Sequence, residues 1–209
     1  MRIEAPVVDV PDFDAVYRSN ADPWGVRSSF YERRKLEIVL ACLNRSTYAT
    51  AWDPACGVGE LAARLDARAD RVLATDASAE AAQLSRTRNA GLTGVEVGHQ
   101  ALPAPPPTGW PEFDLVALSE FFYYLTPEDR AAALTMINSV TADRAELISL
   151  HWRHKPHDAW LSGADTQTEI CTQLRRDGWQ PIVHHEDRDF VLDSFERSRE
   201  GQGESSPRR

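Results

Sequence analysis

The chain has few basic residues for its acidity, with 23 Lys and Arg against 32 Asp and Glu and a formal net charge of -9. A surface that binds a nucleic-acid backbone needs clustered Lys and Arg to displace counterions. The charge balance therefore argues against a nucleic-acid partner and favours a small-molecule one.

Cysteine is also scarce, since only Cys42, Cys56 and Cys171 are present. They are widely separated and odd in number, which favours reduced thiols over a disulfide framework. No apolar run approaches the roughly 18 residues of a membrane span, and residues 1–6 do not begin an apolar segment of signal-peptide length. We therefore expect a soluble, cytoplasmic protein without a membrane partner.

The length of 209 residues and 42% hydrophobic content suit one well-buried domain. Pro11, Pro23 and Gly25 predict an irregular arm over 1–27, with at most one helical turn around 12–18. The domain itself is expected over 28–197. The polar segment 198–209 has too little apolar content to order itself.

Hydrophobic periodicity predicts strands that alternate with helices and end in a hairpin. Ser29 and Glu32 have the form of a capping box, and Thr126 precedes Pro127 as a candidate N-cap. The predicted strands are 48–53, 71–76, 95–98, 113–118, 146–150, 180–185 and 190–195, and the predicted helices are 30–43, 60–66, 79–89, 127–140 and 166–176. This order predicts a doubly wound α/β fold, with a seven-stranded, mostly parallel sheet that closes in an antiparallel hairpin.

The segment 51–62 reads Ala-Trp-Asp-Pro-Ala-Cys-Gly-Val-Gly-Glu-Leu-Ala, and the next predicted strand ends at Asp76. A strand, a glycine turn, a helix and a second strand that ends in an acid are typical of a nucleotide-binding half-sheet. The GxGxxA pattern alone allows NAD(P) or S-adenosylmethionine. An anionic Asp53 before the turn would repel phosphates and suit an ammonium group, which favours S-adenosylmethionine.

With these residues the sequence resembles the class I S-adenosylmethionine-dependent methyltransferases over 48–195. The resemblance implies a ribose-binding role for Asp76. Ala55 stands where that family usually has a glycine, and Gln100 stands where an Asp commonly binds the adenine amino group. The candidate cofactor-binding residues are Trp24, Tyr31, Arg33, Asp53, Ala55, Gly57, Gly59, Asp76, Ala77, Gln100, Ala101 and Ser119.

A closer resemblance is to the nodulation protein S (NodS)-like branch of that class. It rests on Asp22-Pro23-Trp24, on Phe-Tyr-Glu-Arg-Arg-Lys at 30–35, and on Ser-Glu-Phe-Phe-Tyr-Tyr-Leu at 119–125. The archetype of the branch N-methylates the free amine of a deacetylated chitooligosaccharide. Fold and cofactor transfer between relatives better than the acceptor does.

Two residues at strand ends are candidates to orient or deprotonate a methyl acceptor, namely Glu120 after the fourth strand and His151 after the fifth. The candidate substrate-binding residues are Tyr124, Trp152, Arg153 and His154. A metal site at the His-rich run 151–157 is an alternative, but no Cys or acid pair completes a ligand set, and we expect none.

The resemblance implies transfer of a methyl group from S-adenosylmethionine to an amine or hydroxyl of a small sugar-like or secondary-metabolite acceptor. An NAD(P)-binding oxidoreductase and a catalytically silent cofactor-binding protein are the alternatives. The sequence leaves open the identity of the acceptor and the choice between monomer and homodimer.

Overall fold

The computed structural model describes residues 8–198. Its seven strands are β1 (Tyr48–Pro54), β2 (Ala69–Asp76), β3 (Val95–His99), β4 (Phe113–Ser119), β5 (Thr141–Trp152), β6 (Gln180–Glu186) and β7 (Phe190–Ser198). Its helices are α1 (Phe13–Ser19), α2 (Phe30–Ala41), α3 (Glu60–Leu65), α4 (Ala79–Asn89), α5 (Pro127–Val140) and α6 (Gly163–Arg176), with a 3₁₀ turn at Phe122–Tyr124.

All seven strands belong to one sheet in the order β3-β2-β1-β4-β5-β7-β6. The first five strands along the chain run parallel, while β7 pairs antiparallel with both β5 and β6. The direction of winding reverses between β1 and β4, which opens a crevice at the carboxyl ends of these strands. The predicted sheet and hairpin are confirmed.

Helices cover both faces of the sheet. Leu36 of α2 and Leu61 of α3 pack on one face in a cluster with Val72 and Leu115. Ile137 of α5 and Ile170 of α6 pack on the other face in a cluster that includes Trp52. Such two-sided burial explains why the central strands are apolar almost throughout.

Three predictions of local structure were wrong. The helix near the N-terminus has seven residues rather than one turn, because Asp12 accepts the Ala15 N–H at its start and the helix packs against α4. The capping box does not form: the Ser29 hydroxyl accepts no backbone N–H, and the Glu32 carboxylate bonds Lys35 rather than reaching back to Ser29. Strand β5 begins at Thr141 rather than at residue 146, because Thr141 pairs with Phe113 directly after α5.

Thr126 caps α5 as predicted, since its hydroxyl accepts the Asp129 N–H at 3.1 Å. Ser198 ends β7, and the remainder of the predicted tail lies outside the described residues. Between residues 8 and 198, no helix is both long enough and apolar enough to cross a membrane.

Candidate active site

The turn after β1 has a left-handed backbone at three positions. Gly57 and Gly59 have φ values of 53° and 79°, which glycine adopts without steric cost. Ala55 has a φ of 65°, where its Cβ is strained. The family position that is usually glycine therefore keeps the glycine conformation here although the residue has changed.

The two glycines face different neighbours. A Cβ at Gly57 would lie 2.8 Å from the Tyr17 hydroxyl, so α1 reaches over the turn. A Cβ at Gly59 would overlap the side chains of Ser85 and Asn89 on α4. Gly59 thus permits close packing of α3 against α4, and its predicted contact with the cofactor stays a prediction.

Asp76 at the end of β2 ties the turn to the start of α4. Its Oδ2 accepts the Gly57 N–H at 2.8 Å, and its Oδ1 accepts the Ser78 N–H at 2.9 Å. Burial raises the pKa of Asp76, although these two N–H groups counteract it. Each carboxylate oxygen retains a second lone pair for a further donor, such as a ribose hydroxyl.

Asp53 is 1% exposed at the end of β1. Its Oδ2 is buried and has no hydrogen-bond partner anywhere in residues 8–198. Burial, reinforced by the nearby charge of Asp76, raises the pKa of Asp53 to about 8. The raised pKa favours the neutral carboxyl of Asp53 in the protein alone, whereas a neighbouring cation would favour the ionised form that the sequence analysis expects.

Aromatic side chains gather beside the turn. Trp24 packs edge-on against Tyr17 at 5.5 Å between ring centroids and contacts Phe13 at 6.3 Å, while 47% of it stays exposed. Tyr124 packs against Phe13 at 5.0 Å. Asp22 holds this arm in a turn by accepting the Val26 N–H at 2.7 Å. The sequence prediction found Trp24 and Tyr124 but missed Tyr17, whose partner Gly57 is 40 positions away.

The end of β3 is held close to β2. The Gln100 N–H donates to the Asp76 carbonyl, and the Gln100 Nε2 donates to the carbonyls of Ala104 and Pro105. The Ala101 carbonyl accepts the Ala104 N–H in the same turn, and the Ala77 carbonyl faces His99 Nε2 at 3.0 Å. Gln100 therefore shapes the loop with its donors and leaves its side-chain oxygen for an incoming donor.

Glu120, which follows Ser119, occupies the centre of a hydrogen-bonded cluster. Its Oε1 lies 2.5 Å from Lys35 Nζ, while its Oε2 accepts the Tyr123 hydroxyl at 3.0 Å and the Trp152 N–H at 2.7 Å. Burial raises the pKa of Glu120, but Lys35 and the Trp152 N–H lower it more, so the net pKa lies below its usual range. This carboxylate is ionised and suited to orienting a partner.

Lys35 is the main site residue that the sequence prediction missed. It is 5% exposed and also bonds Glu32, and the pKa of Lys35 is raised because these two carboxylates outweigh its burial. Arg33 donates to the Ser28 carbonyl at the start of α2, and its cofactor-binding role stays a prediction. One available signal was that Lys35 is one of only two lysines in the chain.

Two further polar atoms near this cluster are buried and have no partner in the part of the chain that the structure describes. They are the Tyr31 hydroxyl and His151 Nε2. The Tyr31 ring lies 5.1 Å from Lys35 Nζ, and burial raises the pKa of Tyr31 to about 12. His151 is fully buried, and burial lowers its pKa, so its imidazole is neutral at pH 7. The site therefore contains a neutral base beside an ion pair.

The segment after β5 is tied to the turn between β6 and β7. Arg153 bonds Glu186 at 2.8 Å, and His154 Nε2 lies 3.2 Å from Asp189, whereas Trp152 is 37% exposed. His151 points inward and His154 outward, so they do not converge. Within the described range 8–198, no three His, Cys, Asp or Glu side chains are placed to hold a metal ion, and the metal alternative gains no support.

Comparison with known proteins identifies the class. A methyltransferase-domain family model matches residues 51–144. A solved structure from Pseudomonas syringae, described as a candidate methyltransferase, is 30% identical with a TM-score of 0.70, and the match covers 81% of this chain and 100% of that one. The chain belongs to the class I S-adenosylmethionine-dependent methyltransferases, and S-adenosylmethionine is its cofactor.

Two other solved structures share the fold. N-methyltransferase NodS from Bradyrhizobium japonicum, in complex with S-adenosylhomocysteine, is 19% identical with a TM-score of 0.73, and the match covers 88% of this chain and 96% of that one. The DhpI–S-adenosylhomocysteine complex is 21% identical with a TM-score of 0.65, and coverage is 88% and 95%. No curated protein sequence matches the chain. Because the chain belongs to the S-adenosylmethionine-dependent methyltransferases, the NAD(P) oxidoreductase alternative is wrong.

Proposed function

We propose that the protein is a NodS-like small-molecule methyltransferase that methylates an amine or hydroxyl of a sugar-like or secondary-metabolite acceptor. The observation that carries this proposal is the cluster of Lys35, Glu120 and His151 at the carboxyl ends of β4 and β5, beside the glycine turn. The absence of a nucleic-acid partner and the cytoplasmic location remain predictions from composition, and the oligomeric state stays open.

The residues around the turn suit the cofactor. We infer that Asp76 would accept hydrogen bonds from the ribose hydroxyls and that the Gln100 oxygen would accept one from the adenine amino group. The buried, unpartnered Oδ2 of Asp53 suits a cationic ammonium group. When bound, S-adenosylmethionine would supply an electrophilic methyl group on a sulfonium. Tyr17 and Trp24, which lie beside the turn, would shield that group from water.

The acceptor side favours an amine over a hydroxyl. The carboxyl groups of Glu32 and Glu120 both bond the single ammonium group of Lys35, so the cluster offers acidic oxygens to which a neutral amine with a free lone pair can donate its N–H. Glu120 orients the acceptor, while His151, which is neutral and has a free Nε2, is the better proton acceptor. Methyl transfer depends largely on in-line positioning, so one weak base is enough.

Thermal stabilisation by S-adenosylhomocysteine against NAD tests the cofactor site. A ligand at 100 times its dissociation constant adds about 2.7 kcal/mol to the free energy of unfolding. We expect stabilisation by S-adenosylhomocysteine alone, and its loss in Asp76→Ala. The matched control is Asp70→Ala, at the exposed opposite end of β2. Stabilisation by NAD alone, or an unchanged response in Asp76→Ala, would contradict the assignment.

A panel of amines, amino sugars and matched alcohols tests the acceptor by formation of S-adenosylhomocysteine. We expect turnover with amines, lost by roughly 100-fold or more in His151→Ala while cofactor binding persists. Turnover confined to alcohols would overturn the amine preference. Full activity in His151→Ala would remove the histidine from the reaction.

A further inference from the structure

A chain of buried polar groups runs from His151 towards the hairpin surface. His151 Nδ1 lies 2.9 Å from Gln167 Oε1, and Gln167 Nε2 donates to Asp193 Oδ2 at 2.8 Å. Asp193 Oδ1 in turn lies 2.8 Å from His184 Nδ1. Gln167 and Asp193 are 3% and 5% exposed, so three elements, β5, α6 and the hairpin, contribute to one internal network.

The orientation of the Gln167 amide follows from its neighbours. Its Nε2 lies 3.1 Å from the Ser149 carbonyl oxygen, which can only accept a hydrogen bond. Rotating the amide by 180° would place two oxygens in contact there, and a second oxygen pair at Asp193. The amide nitrogen therefore faces Ser149 and Asp193, and the amide oxygen must face His151.

An amide oxygen can only accept, so the His151 nitrogen opposite it must carry the proton. We propose that Gln167 is a positioning residue, which holds neutral His151 with its proton on Nδ1 and so leaves the lone pair of Nε2 to receive the acceptor's proton. This inference rests on the proposed function for its chemical consequence, whereas the tautomer itself is a property of the protein alone. The tautomer of a histidine is set by the bond that its other nitrogen makes.

The proton balance of the step is complete. The acceptor's lone pair forms a bond to the methyl carbon, the electrons of the S–CH₃ bond remain on sulfur, and the acceptor's proton moves to His151 Nε2. The imidazolium then keeps its Nδ1–H bond to Gln167. Glu120 favours the positive charge on His151 and Lys35 opposes it, so the ring is not trapped in its charged form.

Asp193 and Ser149 influence His151 indirectly, through their hydrogen bonds to Gln167. They are directly paired across β7 and β5, and both accept from the same amide nitrogen. An amide held at two points cannot rotate without losing both bonds. The antiparallel strand β7 therefore supplies part of the orientation of a histidine on β5.

Nitrogen-15 NMR of the histidine rings tests the proposal without an acceptor. In the wild-type protein above the pKa of His151, we expect the proton on Nδ1. In Gln167→Leu we expect a mixture of tautomers. We also expect a lower pKa for His151, because the hydrogen bond to Gln167 stabilises the charged ring in the wild-type protein and is absent from the variant. The matched control is Gln173→Leu on the exposed side of α6, where the amide bonds Asp177, and it should leave the His151 signals unchanged.

Several outcomes would overturn the inference. Finding the proton of neutral His151 on Nε2 in the wild-type protein would by itself overturn the inference. This measurement does not depend on whether a variant folds. An unchanged tautomer in folded Gln167→Leu would show that Gln167 does not set it. Binding of S-adenosylhomocysteine to the same samples separates this failure from that of the proposed function, because the cofactor site excludes Gln167. With an acceptor in hand, Gln167→Leu should lower kcat about tenfold or more with little change in KM.

Discussion

Lys35 Nζ and Glu120 Oε1 lie 2.5 Å apart although 85 positions separate the two residues in the chain. The pair joins α2, which precedes the sheet, to the end of β4. Glu120 has a φ of 64°, an unfavourable conformation for a residue with a Cβ, and the three bonds to its carboxylate help to hold it there. The acceptor side of the site is thus assembled by one buried ion pair.

Lys35→Met should destabilise the protein by roughly 2–4 kcal/mol, because Glu32 and Glu120 would lose the cation that neutralises them. Urea denaturation at pH 7 measures this loss. Arg33→Met on the same helix is the control, since its guanidinium donates to a backbone carbonyl at a more exposed position. Equal losses in the two variants would show that the ion pair contributes nothing specific.

Asp53 should make the protein less stable as the pH rises. The pKa of Asp53 is raised from 3.8 to about 8, so the unfolded chain releases this proton first and folding loses free energy between about pH 4 and 8. The slope approaches 1.4 kcal/mol per pH unit for one group. Asp53→Asn should remove this part of the pH dependence, and Asp70→Asn should not. Urea denaturation at pH 5 and pH 7.5 provides the comparison; parallel curves for wild type and Asp53→Asn would contradict the raised pKa.

Ala55→Gly should stabilise the fold by about 0.5–1 kcal/mol. Relief of the left-handed strain at Ala55 contributes roughly 1–2 kcal/mol to the free energy of unfolding. The greater conformational freedom of glycine in the unfolded chain offsets part of this gain. Thermal or chemical denaturation checks the sign. The opposite change is expected of Ala131→Gly on the exposed face of α5, where the backbone is helical. Destabilisation by Ala55→Gly would mean that the methyl group contributes more through packing than it costs in strain.

Gly59→Ala should destabilise more than Gly178→Ala does. Both residues have a positive φ, 79° and 88°, so both variants incur the same backbone strain. Only the Cβ at position 59 meets other atoms, whereas nothing lies within 4 Å of a Cβ at Gly178. The difference between the two losses, expected at about 1–3 kcal/mol, isolates the steric overlap with α4. Similar losses would indicate that α4 yields to the added methyl group.

Much of the fold could be predicted because its signals are local. The succession of strands and helices along the chain follows from hydrophobic periodicity, and Thr126 with Pro127 fixes the start of α5. Asp76 was placed correctly at a strand end, and Glu120 and His151 at neighbouring ones, because parallel strands end at the same edge.

The features that could not be predicted from the sequence depend on contacts between segments that are far apart in the chain. Lys35 was overlooked because its two carboxylate partners meet it only when α2 docks on the sheet. The raised pKa of Asp53 follows from complete burial, which local sequence does not reveal. Gln167 lies on a helix that the apolar pattern predicts. The orientation of its amide could not be predicted, because it depends on bonds to Ser149 and Asp193, which are distant in the sequence. In each of these examples the property arises only when the folded protein buries the side chain beside distant segments.

The close contact between Gly59 and α4 affects how sequence variation in this family should be interpreted. A glycine that is invariant at this position among homologues would record the distance between two helices. Position 57 would in the same way record the contact with the Tyr17 hydroxyl, and paired changes at 59, 85 and 89 would mark relatives in which the helices have moved apart.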